Sequence, residues 1–68
     1  MILTVTGNKK EFAEGLTVAK LIELEQVEMP LYVTVSVNDE FIASETFETA
    51  ELHEGDTIEF FYFMGGGN

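Results

Sequence analysis

The chain has no Cys, no Trp and no Arg, a single His and a single Pro among 68 residues. Without Cys there is neither a disulfide nor a thiolate metal site, and one His cannot assemble a zinc centre alone. The scarcity of Pro removes the main reason to expect kinks or stiff linkers. Cations are equally scarce: Lys+Arg number 3 against 13 Asp+Glu, a formal charge of −10. Such a surface repels phosphate backbones and anionic lipid, which excludes nucleic acid and membrane as natural partners. Solubility of a small protein and electrostatic steering toward a basic partner both account for the acidity. No run approaches the roughly 20 apolar residues that span a bilayer, and the start MILTVTG lacks a basic region followed by a long apolar stretch, so a cytoplasmic location is expected.

What is present is a generous supply of core-forming residues: 46% are hydrophobic, including six Phe. That argues for a folded chain despite the charge. The length allows one domain, near the lower limit at which an apolar core alone outweighs chain entropy. We place this domain over residues 1–64 and expect residues 65–68 to form a flexible glycine-rich tail.

Ile2 to Thr6 is rich in β-branched residues and stops at Gly7-Asn8, a pair suited to a tight turn. Lys10-Glu11-Phe12 can return as a short strand before Glu14-Gly15 breaks it. Thr17 can then cap a helix with Val18, Leu21 and Ile22 at i, i+3 and i+4, a stripe that Leu24 widens. Met29-Pro30 is expected to end that helix. Leu31, Val33, Val35 and Val37 alternate with Tyr32, Thr34 and Ser36, a strand with one face to the core. Asn38-Asp39 is a turn, Phe41 to Ala43 a short strand, and Ser44 to Glu51 a polar, irregular stretch. The longest apolar run, Thr57 to Met64, follows a turn over residues 52–56. The order β-β-α-β-β-β predicts an α+β fold: a mixed sheet of four to five strands covered on one side by one helix, with the first and last strands adjacent at its centre.

In the last strand Ile58, Phe60, Tyr62 and Met64 read as core and alternate with Thr57, Glu59, Phe61 and Phe63. The second set turns aromatic just before the glycines. Phe61 and Phe63 are therefore candidate partner-docking residues, the alternative being that residues 44–51 wrap them. Tyr32, Phe41 and Leu52 read as core or strand-pair packing. Glycine loses the most conformational freedom on ordering, so Gly65, Gly66 and Gly67 are poor core material. They are not a phosphate loop, because no helix follows them. His53 sits in a turn with no nucleophile or paired ligand nearby and reads as a solvated side chain. Glu51, Glu54 and Asp56 lack calcium-loop spacing.

The segments Val37-Asn38-Asp39-Glu40, residues 52–60 (LHEGDTIEF) and Met64-Gly65-Gly66-Gly67 resemble the ubiquitin-like sulfur-carrier proteins of thiamine and molybdopterin biosynthesis, the thiamine type above all. The resemblance spans essentially the whole chain and implies a β-grasp fold. It implies no enzyme but a protein co-substrate: a ubiquitin-activating-type adenylating enzyme, using its own ATP and Mg²⁺, joins the terminal carboxylate of Gly67 to AMP. A sulfur-donor enzyme then makes the thiocarboxylate, and an accepting synthase, thiazole synthase for the thiamine type, takes the sulfur. Gly65 and Gly66 would thread the partner's channel, where any Cβ could collide with the walls. Asn68 departs from the pattern and implies trimming by a protease, as in some carriers that feed amino-acid synthesis. Molybdopterin and amino-acid synthesis therefore stay open as destinations. A ubiquitin-like modifier of lysines, and an interaction module without covalent chemistry, stay open beside the carrier reading.

Overall fold

The computed structural model describes residues 1–27 and 33–62. The expectations for Met29-Pro30, Leu31, Tyr32, Phe63, Met64, the three tail glycines and Asn68 lie outside the described residues. Within them the chain forms β1 (Ile2–Val5), β2 (Asn8–Glu11), α1 (Val18–Leu24), β3 (Val33–Val37), β4 (Glu40–Ile42) and β5 (Thr57–Tyr62). The strands make one five-stranded sheet in the order β2-β1-β5-β3-β4. The expected adjacency of the first and last strands holds: β1 runs parallel to β5, with Thr4 opposite Thr57 and Val5 opposite Ile58. Every other pairing is antiparallel. The single helix packs on one side of this mixed sheet, which is a β-grasp arrangement.

Alternation in the strands decides which side that is. Leu3, Val5, Val33, Val35 and Ile58 point to the helix and are buried, meeting Val18, Leu21 and Ile22 from α1 and Leu16 and Leu52 from the flanking loops. Burying one such side chain contributes about 1.5–3 kcal/mol. Val37, Phe47 and Phe60 close the edges of this core.

Two tight turns set the register. Thr6 and Gly7, with φ of 47° and 87°, carry the chain from Val5 to Asn8. The turn expected at Gly7-Asn8 thus lies one residue earlier, on Thr6-Gly7, and this sets Val5 opposite Asn8 and Leu3 opposite Lys10. Asn38 and Asp39, with φ of 53° and 70°, make the same kind of turn and set Val37 opposite Glu40, as expected of that pair.

The helix also ends earlier than its proline signal. Gln26 takes φ 53°. Its N–H donates to the Glu23 carbonyl at 3.1 Å, and the Val27 N–H donates to the Ile22 carbonyl at 3.2 Å. These are the paired bonds of a Schellman closure, in which Val27 folds back onto the core next to Ile22. Leu24, placed on the buried stripe from sequence, is 52% exposed. At the other end the Thr17 hydroxyl accepts from the Lys20 N–H, as expected of a cap.

The stretch after β4 is less irregular than its composition suggests. Ser44–Thr46 forms a 3-10 turn. The Ala19 N–H donates to the Phe47 carbonyl at 2.9 Å and the Val18 N–H to the Ala50 carbonyl at 3.0 Å, so the segment is fastened to the start of α1.

Candidate functional site

β5 organises the functional end of the molecule, because the glycines follow it in sequence and it has a neighbour on both sides. Its side chains divide as expected at first: Ile58 is buried and Phe60 packs on the core. Tyr62 departs from the expected core set and is 43% exposed. Opposite the buried Val33, Tyr62 lines a shallow depression with Thr6, Glu25, Gln26, Val27 and Phe60. The one carboxylate in that depression, Glu25, is held by Lys10 at 2.9 Å, an ion pair that ties β2 to the end of the helix.

Among the described residues, the opposite side of the sheet carries no helix. Phe61 lies on it opposite Thr34, and is 37% exposed. The segment Ser44 to Glu51, considered as a wrapper for Phe61, is bonded to the helix side instead. Phe63, the other expected docking residue, is outside the described residues.

Phe41 joins Phe61 on this open face, although its sequence suggested core or strand-pair packing. It sits on the short edge strand β4 opposite Ser36 and is 68% exposed. Its ring meets Phe61 edge to face, with centroids 6.1 Å apart and planes at 74°. Such a pair holds its members in one orientation and adds about 0.5–1.5 kcal/mol beyond area burial. The membership of Phe41 in the site was available from the turn: Asn38-Asp39 places residue 41 opposite residue 36, and alternation puts residue 36 on the open side. Ser36 itself is only 4% exposed, a small side chain set between its taller cross-strand neighbours Phe41 and Glu59.

The far end of β5 is pinned by hydrogen bonds. Asn38 Nδ2 donates to Asp56 Oδ1 at 2.9 Å, the Thr57 N–H donates to Asn38 Oδ1 at 2.9 Å, and the His53 N–H donates to Asp56 Oδ2 at 2.8 Å. The side chains of Asn38 and Asp56, both within the segments that carry the resemblance, thus act on the backbone, while His53 contributes only its own N–H. The His53 ring is 74% exposed and stands 3.9 Å from Asp56, a solvated side chain as expected. Among the described residues no group of three or more His, Asp or Glu is placed to hold a metal ion, and no helix is long and apolar enough to cross a membrane.

A five-stranded β-grasp sheet with one aromatic face, followed in sequence by a run of glycines, defines a ubiquitin-like carrier domain. Residues 2–67 match the ThiS family, and the chain belongs to that family of ubiquitin-like sulfur carriers. It is similar to the crystal structure of a thiamine biosynthesis protein (ThiS) from Geobacter metallireducens, with TM-score 0.90 and 42% identity over 98% of this chain and 100% of that one. An NMR solution structure of a thiamine biosynthesis protein from the same organism gives TM-score 0.77 and 41% identity, covering 100% of this chain and 90% of that one. No curated protein matches the chain.

Proposed function

We propose that this chain carries sulfur as a thiocarboxylate on Gly67 for the thiazole of thiamine, acting as a protein co-substrate and not as an enzyme. The observation that carries the reading is the family match, which runs through residue 67 and so includes the glycines that follow β5. The similarity to two structures of thiamine biosynthesis proteins supports thiamine as the destination.

The chemistry assigned to this chain is small. Removal of Asn68 by a protease exposes the carboxylate of Gly67. A ubiquitin-activating-type enzyme, with its own ATP and Mg²⁺, lets that carboxylate attack the α-phosphate, releasing pyrophosphate and leaving an acyl-adenylate. A donor enzyme's persulfide sulfur then displaces AMP, and reduction of the resulting acyl disulfide by a thiol frees the thiocarboxylate, which thiazole synthase consumes. Gly65 and Gly66 bring no Cβ to the walls of a narrow channel. The sheet supplies the rigid base from which they extend, and its open aromatic face supplies the docking contact.

Intact mass spectrometry tests the proposal. The full chain and a form ending at Gly67 are each incubated with the adenylating enzyme, ATP, Mg²⁺, the sulfur donor and a thiol. The shorter form should gain the mass difference of oxygen replaced by sulfur, and the full chain should do so only after losing Asn68. Equal conversion of an intact chain still bearing Asn68 would overturn the processing step, and absence of sulfur on both would overturn the carrier reading. Deleting residues 66–68 should abolish sulfur loading while leaving non-covalent docking, which separates a carrier from a plain interaction module.

A further inference from the structure

We infer that Glu59, set between Phe41 and Phe61 on the open face, is where the adenylating partner places an arginine, and that this triad selects the partner. The inference rests on the carrier reading for the partner's identity. Its physical basis is the register of three strands. Ser36 pairs with Glu59 on one side and with Phe41 on the other, so these three residues form one row across β5, β3 and β4. Phe61 and Thr34 form the next row of the same face. Strands lie about 5 Å apart and same-face residues on one strand about 7 Å apart, so a carboxylate and two phenyl rings border a patch floored by Ser36 and Thr34.

The patch is rich in apolar surface and carries one negative charge that this chain leaves unmatched. Among the described residues Glu59 takes part in no ion pair. Lys10 and Lys20 are engaged by Glu25 and Glu23. Lys9, opposite Thr4, belongs to the row of Thr57, two strands from β5. A partner that covered the phenyl rings with an apolar surface alone would strip water from Glu59 without replacing its hydrogen bonds, an unfavourable exchange for a charged group. A guanidinium resolves the conflict: its planar fork accepts a carboxylate in bidentate geometry, and its faces stack on aromatic rings. The net charge of −10 adds long-range attraction to any partner whose docking face is basic.

Calorimetric titration of this chain into the adenylating enzyme of the same organism, without ATP, tests the assignment apart from tail chemistry. Glu59→Lys and Phe41→Ser should each raise Kd by about tenfold or more. Glu59→Gln should flatten the salt dependence of Kd. Both affected positions are exposed, so thermal melts should match the parent chain and show that folding is intact. Parent-like Kd for Glu59→Lys and Phe41→Ser would overturn the inference, as would failure of the parent chain to bind. A Phe41-dependent dimer of the isolated chain in sedimentation would overturn it as well, by assigning the face to a second copy. Sulfur loading that proceeds while both variants bind normally sinks this surface and leaves the carrier reading standing. Glu59-dependent binding without sulfur loading does the reverse.

Discussion

Asn38 and Asp56 join two turns that are far apart in sequence: the Asn38 amide nitrogen donates to the Asp56 carboxylate at 2.9 Å while the Asn38 amide oxygen accepts the Thr57 N–H at the same distance. One side chain thus ties the β3–β4 hairpin to the first residue of β5. Asn38→Ala removes both bonds and leaves the Thr57 N–H without its side-chain acceptor. It should cost about 1–3 kcal/mol in urea unfolding. Asp56→Ala should cost a similar amount, and the double variant less than the two together, since they share an interaction. Strict additivity would show that the pair acts separately.

Gly55 has φ 85°, its N–H donates to the Ile2 carbonyl at 2.8 Å, and a Cβ there would meet nothing within 4 Å. Backbone strain is therefore isolated from crowding. Gly55→Ala should destabilise by about 1–2 kcal/mol in the same assay, with no change of fold by circular dichroism. A neutral result would mean that the turn relaxes to negative φ.

Ile58 is fully buried and is the point where β5 meets β1, β3 and the helix-side core. Ile58→Ala should cost about 2–5 kcal/mol. In a domain of this size that is a large part of total stability, so the variant should lose its cooperative thermal transition or show a strongly lowered Tm.

Leu24 gives the opposite expectation. At 52% exposure on the last turn of α1, it can be replaced by Lys with a change within about 0.5 kcal/mol, helped by the favourable position of a cation near a helix C-terminus. A loss above about 2 kcal/mol would show that Leu24 packs in solution on a surface absent from the isolated domain.

Much of this fold is legible in the residues themselves. Strict alternation from Val33 to Val37 and the spacing of Val18, Leu21 and Ile22 each report one buried face, and the structure buries those faces. The errors fall where a local signal competes with closure geometry. The Schellman turn at Gln26 ends the helix without any glycine to announce it, and Leu24 is exposed. At the first hairpin the turn falls on Thr6-Gly7 and not on Gly7-Asn8, so Thr6, which carries no turn signal, takes a positive φ. Tyr62 looked like core because alternation says which face a residue takes but not how much of its ring is covered. In the candidate site Phe61 lies on the open face that its place in the alternation gave it. Phe41 and Glu59 were missed as its companions because recognising them requires carrying the hairpin register across three strands.

The parallel alignment of β1 with β5 bears on how the molecule withstands traction. The Thr4 N–H reaches the Asp56 carbonyl and the Thr6 N–H the Ile58 carbonyl, both at 2.9 Å, while β3 grips the other flank of the same strand. A force drawing the glycines lengthwise out of a docked domain loads both ladders in shear, so their bonds must yield together and cannot be unzipped one by one. Tension applied along β5 is therefore shared between two neighbouring strands, and the body of the sheet resists it as one piece.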